Sequence, residues 1–140
     1  MKDFRKLKVW EKAHAFVLTV YTVTRNFPKE EIYGLTSQIK RASLSIGLNI
    51  VEGCGRNSNA DFKRFLQIAF GSACEAEYCI ILSHDLKYIT YEEFISLQQK
   101  IVEVKMMLSS LMNKLTSDKR SNHQRSSAAI RSHRPVVGNT

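Results

Sequence analysis

The sequence predicts an all-α fold, an antiparallel up-down-up-down four-helix bundle over residues 1–117. Glycine and proline number only 6 and 2 in 140 residues, whereas many-stranded β-proteins need frequent turn residues. Apolar residues recur at spacings of three and four in four successive segments, which is the period of an amphipathic helix. Because the connections are short, neighbouring helices must run antiparallel.

The first helix is predicted over about residues 6–26 from its heptad-like spacing. An apolar seam runs from Trp10 to Phe27 in steps of three and four. Pro28 follows and should end the helix, because the residue before a proline is disfavoured in the α conformation.

The second helix is predicted from Leu35 to about Glu52, where Gly53 and Gly55 should end it. Gly47 lies in its interior at a cost of about 1 kcal/mol relative to alanine, which a kink or a close helix contact would explain. Beside the main apolar stripe, a second stripe lies on another face and consists of Leu44, Leu48 and Val51.

The third helix is predicted over about residues 60–88, since Ser58 and Asn59 are good N-cap residues. It also carries two apolar stripes, one from Phe62 to Ile80 and one that includes Phe65, Ile68, Cys79, Leu82 and Leu86. The small residues 71–73 mark a place where another helix could approach. Excess apolar surface on helices 2 and 3 predicts a subunit interface.

The fourth helix is predicted over about residues 91–117, with Thr90 and Glu93 forming a capping box. Its apolar seam from Phe94 to Leu115 is the most regular in the chain. After Ser117 the period is lost, and residues 118–140 are predicted to be a disordered basic tail.

The charge balance favours an anionic partner. The net charge is +8, and a basic balance is typical of proteins that bind RNA or DNA. The tail holds one acid, Asp118, against five bases: Lys119, Arg120, Arg125, Arg131 and Arg134. An odd number of cysteines, three, and the lack of a signal-like segment predict a cytoplasmic protein.

The candidate nucleic-acid contacts lie in two places besides the tail. Arg5, Lys8 and Lys12 are spaced to share one face of the first helix, with Lys6 nearby. A polar cluster near the corner between helices 2 and 3 is either an RNA-phosphate site or an internal ion-pair network. It consists of Arg41, Asn49, Glu52, Arg56, Arg64 and Glu75, with Lys63 nearby. Its candidate phosphate contacts are Arg41, Arg56, Lys63 and Arg64, and Lys40 is a further candidate contact on helix 2.

No enzyme chemistry is indicated. Cysteines 54, 74 and 79 lack metal-ligand spacing, and no P-loop or nucleophile–base pair is recognisable. We therefore expect no metal, no cofactor and no catalytic residue.

Several motifs occur in the order found in one bacterial family. They are the strings 7–13 (LKVWEKA), 33–42 (YGLTSQIKRA), 49–53 (NIVEG) and 64–72 (RFLQIAFGS). The chain resembles the four-helix-bundle proteins encoded in intervening sequences of 23S ribosomal RNA genes. The accessory variability determinant (Avd) of diversity-generating retroelements is similar to this family. Where the family typically has Ser-Ile-Pro, this chain has Ser45, Ile46 and Gly47.

The resemblance implies a homopentameric barrel of four-helix protomers without catalytic residues. For the retroelement branch, it also implies binding to nucleic acid and to a reverse transcriptase. Two functions stay open at this point. One is a non-enzymatic nucleic-acid-binding scaffold, most naturally for RNA, and the other is a structural or protein-interaction oligomer with no nucleic-acid role.

Overall fold

The computed structural model describes residues 2–131, and within them it shows helices and no strand. Four α-helices form the fold: α1 (Lys8–Val23), α2 (Leu35–Cys54), α3 (Asn59–Asp85) and α4 (Tyr91–Arg131). Short 3₁₀ turns cover Phe4–Lys6, Thr24–Asn26 and Lys29–Glu31. The all-α helical bundle predicted from the periodicity is therefore confirmed.

The helices follow one another around the bundle. Each of α1 and α3 packs against both α2 and α4, so the α2–α3 side and the α1–α4 side lie opposite each other. Cross-helix contacts run antiparallel: Lys63 of α3 meets Thr116 of α4, and Glu77 of α3 meets Lys105 of α4.

The core consists of one apolar stripe from each helix. The predicted main stripes of α2, α3 and α4 are buried, including Ile46, Leu66 and Leu108, each with 0% of its surface exposed. The seam predicted for the first helix is buried at Ala13, Val20, Thr24 and Phe27, whereas Trp10 and Val17 are only half-buried. The buried positions of α1 are Val9, Ala13, Phe16, Val20 and Val23.

Local capping fixes where the helices begin. Thr90 Oγ1 accepts a hydrogen bond from the Glu93 amide at 3.1 Å, and Glu93 Oε1 accepts one from the Thr90 amide at 2.9 Å. This confirms the capping box. Ser58 caps α3 through the Asp61 amide, and a carboxylate oxygen of Glu31 accepts a hydrogen bond from the Leu35 amide at 2.8 Å at the start of α2.

The helix ends differ from the sequence expectation in two places. The amide of Tyr88 bonds to the carbonyl of Ser83 and that of Lys87 to His84, with Lys87 at a φ of 63°, so a left-handed cap ends α3 three residues earlier than predicted. The fourth helix does not end at Ser117 but continues to Arg131. The stretch 118–131 is thus helical rather than disordered, because no glycine or proline interrupts it.

The interior glycines have different roles. A Cβ on Gly53 would lie 2.9 Å from Phe62 Cδ2 and 3.0 Å from Phe65 Cβ, so the corner between α2 and α3 requires a glycine there. A Cβ on Gly47 or Gly71 would meet nothing within 4 Å. Within the protomer, the close helix approach expected at residues 71–73 is therefore absent at Gly71, and a close contact is not the reason for Gly47.

One helix of the described chain has the length and composition of a membrane span. An 18-residue window within α3 has a mean hydropathy of 1.3. The uninterrupted apolar runs of the sequence are too short to predict a membrane span. A share of 33% of that window is buried inside the fold, and its buried stripe includes Leu66, Ala73 and Ile80, each 0% exposed. That arrangement is the one expected of a core helix in a bundle.

Candidate nucleic-acid interface

A basic groove lies between the beginning of α3 and the later part of α4. Its volume is about 540 Å³, and its lining includes the cations Lys63, Arg64 and Lys119. Asn59 and Asn122 add amide groups, and no acidic side chain of the described residues lines it. This is a suitable surface for an anion such as a nucleic-acid phosphate.

The groove exists because α4 continues to Arg131, beyond Leu115, the last residue of its apolar seam. The sequence predicts Lys119 in a disordered tail, yet α4 continues past Leu115 and Lys119 lines the groove between α3 and α4. The Lys63 ammonium donates a hydrogen bond to Thr116 Oγ1, which holds that cation at the junction of the two helices. The structure thus joins two candidate groups that the sequence kept apart.

Two arginines stack on one aromatic ring beside this groove. The guanidinium carbons of Arg56 and Arg64 lie 4.8 Å and 4.7 Å from the ring centroid of Phe65, within the range of a cation–π contact. Arg56 also pairs with Glu52 at 2.6 Å, while the Arg64–Asp61 pair is long at 3.9 Å. Arg64 therefore keeps more of its charge available than Arg56.

The predicted corner cluster does not form one network. Asn49 donates to the carbonyl and hydroxyl of Ser45, and Ser45 accepts from Ser72 of α3 at 2.9 Å. These contacts join α2 to α3 and make Asn49 structural. Arg41 and Glu75 are exposed, and within residues 2–131 neither takes part in an ion pair.

The predicted ladder on the first helix is wrong for Arg5. Leu7 is extended, with φ −85° and ψ 123°, so Arg5 and Lys6 lie in a separate 3₁₀ turn and do not continue the face of α1. Arg5 stacks over Phe4 at 5.0 Å. Lys12 pairs with Glu103 of α4 at 3.3 Å, and Lys8 lines a groove between α1 and α4.

The remaining candidates are dispersed. Lys40 is half-buried, with its ammonium 4.8 Å from the ring centroid of Tyr21. Arg120, Arg125 and Arg131 are exposed along the last turns of α4. Arg134 lies outside the described residues.

The cysteines are separate thiols. Cys54 and Cys79 are buried and Cys74 is exposed. Burial raises the pKa of Cys54, an effect partly opposed by Lys2. Burial, with a smaller effect of Glu75, also raises the pKa of Cys79, so both thiols resist ionisation. Across residues 2–131, no group of three potential metal ligands is found.

Sequence reasoning missed the apolar groove between α1 and α4. It is lined by Leu7, Val9, Val102, Met106, Met107 and Leu111, and its volume is about 700 Å³. Val102 and Met106 are 42% and 66% exposed. Their spacing of four residues, outside the main seam of α4, was the signal that could have found it.

Comparisons with known proteins agree on one family. The family model for the 23S rRNA-intervening sequence protein matches residues 5–110. The fold is similar to a 1.70 Å crystal structure from Bacteroides thetaiotaomicron VPI-5482, described as a protein with unknown function from the S23 ribosomal protein family. That match has 32% identity and a TM-score of 0.68, and covers 74% of this chain and 97% of the other. No curated protein matches the chain. The chain belongs to the family of 23S rRNA-intervening sequence proteins.

Proposed function

We propose that this protein is a non-enzymatic, self-associating scaffold that binds nucleic acid, with structured RNA as its ligand. The supporting observation is the α3–α4 groove, which is lined by Lys63, Arg64 and Lys119 and by no acidic side chain of the described residues. The net charge of +8 adds a long-range attraction for the same class of ligand.

Recognition through such a groove depends on phosphates. Lysine and arginine that neutralise phosphates release condensed counterions, so affinity falls as salt rises. Contacts of this kind position a nucleic acid without reading its bases. The function proposed is therefore recognition of backbone and shape rather than of sequence.

Self-association supports this function by repetition. Leu44 and Leu48 on α2 are 44% and 57% exposed, and Ile68 on α3 is 44% exposed, so the second stripes of these helices are available to a partner copy. The resemblance to the family implies five subunits, and we propose a homopentamer. Five basic grooves in one assembly would bind a long RNA far more tightly than one groove does.

The biological setting of the scaffold has two candidates. In a diversity-generating retroelement, the protein would act in the cytoplasm as the accessory partner of a reverse transcriptase. In a ribosomal intervening sequence, it would act without that enzyme. A gene neighbourhood with an adjacent reverse transcriptase and a template repeat selects the first, and a position inside a 23S ribosomal RNA gene selects the second.

The test is the salt dependence of RNA binding by the full chain. The double variant Lys63→Gln/Lys119→Gln removes two groove charges, so the slope of log affinity against log salt should become shallower by roughly 1–2. Affinity should fall to a similar extent for unrelated RNA sequences. The matched control, Arg25→Gln/Lys29→Gln, removes two exposed charges at the opposite end of the bundle and should leave the slope nearly unchanged.

Two results would contradict the proposal. One is equal slopes for the groove variant and the control. The other is no binding of structured RNA or DNA by the intact protein at 50 mM salt, a condition where phosphate contacts are strong. Circular dichroism of each variant separates a lost contact from a lost fold.

The alternative is a structural or protein-interaction oligomer with no nucleic-acid role. One observation favours it: Lys12, Arg56 and Arg64 each have an acidic partner within the protomer. Such pairs reduce the positive field of the bundle. Failure of RNA binding together with intact self-association would establish this second function.

A further inference from the structure

Phe65 lies beside the basic groove and supports a guanidinium from each of two elements. Arg56 follows the end of α2 and Arg64 lies on α3, and their guanidinium carbons are 4.8 Å and 4.7 Å from the ring centroid. The ring is half-buried, and a Cβ on Gly53 would lie 3.0 Å from Phe65 Cβ. Because α2 packs this closely against the base of the side chain, the ring is a fixed support for both cations.

The two arginines differ in how their charge is held. Arg56 donates a hydrogen bond to Glu52 Oε1 at 2.6 Å, so a carboxylate already occupies its guanidinium. The distance between Arg64 Nε and Asp61 Oδ1 is 3.9 Å, and 59% of the Arg64 side chain is exposed. A long, exposed ion pair of this kind is weak. Arg64 is therefore held mainly by the aromatic ring, and its planar guanidinium is open to solvent.

We propose that Arg64, supported by Phe65, stacks on an unpaired RNA base while the neighbouring phosphates lie in the α3–α4 groove. The proposal rests on the proposed function and narrows its ligand to RNA with unpaired nucleotides. Arginine planes and aromatic rings stack on bases that are splayed out of a helix, whereas a base inside a duplex has both faces against its neighbours.

The stacking site and the phosphate site share one side chain. Arg64 lines the groove together with Lys63 and Lys119, so a nucleotide whose base lies on the guanidinium has its phosphates beside two further cations. The amide groups of Asn59 and Asn122 line the same groove. Amides donate and accept hydrogen bonds, which suits ribose hydroxyls and base edges.

An acidic protein segment is the competing partner for a cationic groove. A carboxylate binds a guanidinium along its N–H edge and gains nothing from a plane that an aromatic ring supports. A base has a flat face that stacks on such a plane. The contact between Arg64 and Phe65 therefore favours a nucleotide over a carboxylate.

The variant Arg64→Lys tests the stack without changing the charge. Lysine keeps the positive charge but lacks the planar guanidinium, and the exposed position should tolerate the exchange. Fluorescence anisotropy measures binding of the full chain to single-stranded oligo(A) RNA and to an abasic strand of the same length. Both strands carry the same number of phosphates, so the ratio of the two affinities reports on contacts to the bases.

Wild type should bind oligo(A) about fivefold or more tightly than the abasic strand, which is the size of one base-stacking contact. In Arg64→Lys this preference should largely disappear, while the slope of log affinity against log salt stays that of wild type. The matched control is Arg25→Lys, the same exchange at an exposed arginine at the opposite end of the bundle, and it should keep the full preference.

A second variant removes the ring and keeps the guanidinium. Phe65→Leu should also lower the preference for oligo(A), because Arg64 loses its support. Its control is Phe70→Leu, since Phe70 is a half-buried ring on the same helix with the Lys105 ammonium 5.6 Å from its centroid. Circular dichroism shows whether both chains fold, and Arg64→Lys decides the question by itself if Phe65→Leu does not.

Three results would overturn the proposal, and they separate it from the proposed function. An unchanged preference in Arg64→Lys would remove the stacking site and leave the phosphate groove in place. Equal affinity of wild type for oligo(A) and the abasic strand would show that charge alone is recognised, as an acidic peptide would also be. If wild type binds neither strand at 50 mM salt, both the stacking site and the nucleic-acid function fail.

Discussion

Replacing Leu108 by alanine should destabilise the bundle by about 3 kcal/mol. Leu108 is 0% exposed and lies on the α4 seam with Ile101 and Val104, which are also 0% exposed. Burial of each methylene stabilises by about 0.8 kcal/mol, so the loss of three carbon atoms costs about 2.4 kcal/mol. A residual cavity of roughly 40 Å³ adds about 1 kcal/mol.

The assay is thermal unfolding followed by circular dichroism. With an unfolding entropy of about 2.1 cal/mol/K per residue, a loss of 3 kcal/mol lowers the Tm of a chain this size by roughly 10 °C. Wild type and variant must be compared at one protomer concentration, because association changes the apparent stability. The control is Leu18→Ala, since Leu18 is 56% exposed and its truncation should change stability by about 0.5 kcal/mol or less.

A near-neutral Leu108→Ala variant would refute the reasoning. It would mean that α4 turns another face to the core. An equally large loss of stability in Leu18→Ala would also refute the reasoning. It would show that the effect of truncating a leucine does not depend on its burial within the protomer.

Three further predictions concern other parts of the chain. Gly53→Ala should lower the free energy of unfolding by about 1–3 kcal/mol, because the new Cβ overlaps Phe62. Gly47→Ala should raise the free energy of unfolding by about 0.5–1 kcal/mol, because alanine has the higher helix propensity and its Cβ meets open space. Urea titrations measure both changes, and a change of the same sign in the two variants would contradict the prediction. Iodoacetamide at pH 8 should label Cys74 before Cys54 and Cys79, because those two thiols are buried and their pKa values are raised. Peptide mass spectrometry identifies the cysteine that is labelled first. Early labelling of a buried thiol would show that the core opens. Truncation after Ser117 should leave the Tm within about 2 °C of the wild-type value, because the helix beyond Ser117 is almost entirely exposed. The same truncation should weaken RNA binding, because Lys119 is lost. A Tm loss of several degrees would show that the last turns of α4 pack on the bundle.

Helix number, helix type and most of the core were predictable because they follow from local rules. The period of three and four residues identified the buried stripes of α2, α3 and α4, and the capping chemistry at Thr90 fixed the start of α4. The first helix was placed less well. Its apolar residues spread over more than one face, so periodicity alone did not show that Phe16 is fully buried while Trp10 lies at the edge.

The candidate site was predictable only in its residue types. Sequence reasoning named Lys63, Arg64 and Lys119, but it put Lys119 in the tail, apart from Lys63 and Arg64 near the corner between helices 2 and 3. It treated the loss of apolar period after Ser117 as the end of the helix. The spacing of apolar residues reports which face of a helix is buried and does not report whether the backbone is helical. A helix that extends beyond the helices it packs against therefore loses its apolar spacing while its backbone stays helical.

The sequence by itself determined an all-helical bundle, its family and an excess of positive charge, because periodicity, motif order and composition are properties of the chain read in order. Only the tertiary structure decided which cations are free. Lys12 is paired because α4 brings Glu103 within 3.3 Å, and Lys119 lines the same groove as Lys63 because the two helices run antiparallel. Such contacts join residues far apart in the chain, and their geometry is set by how whole helices pack.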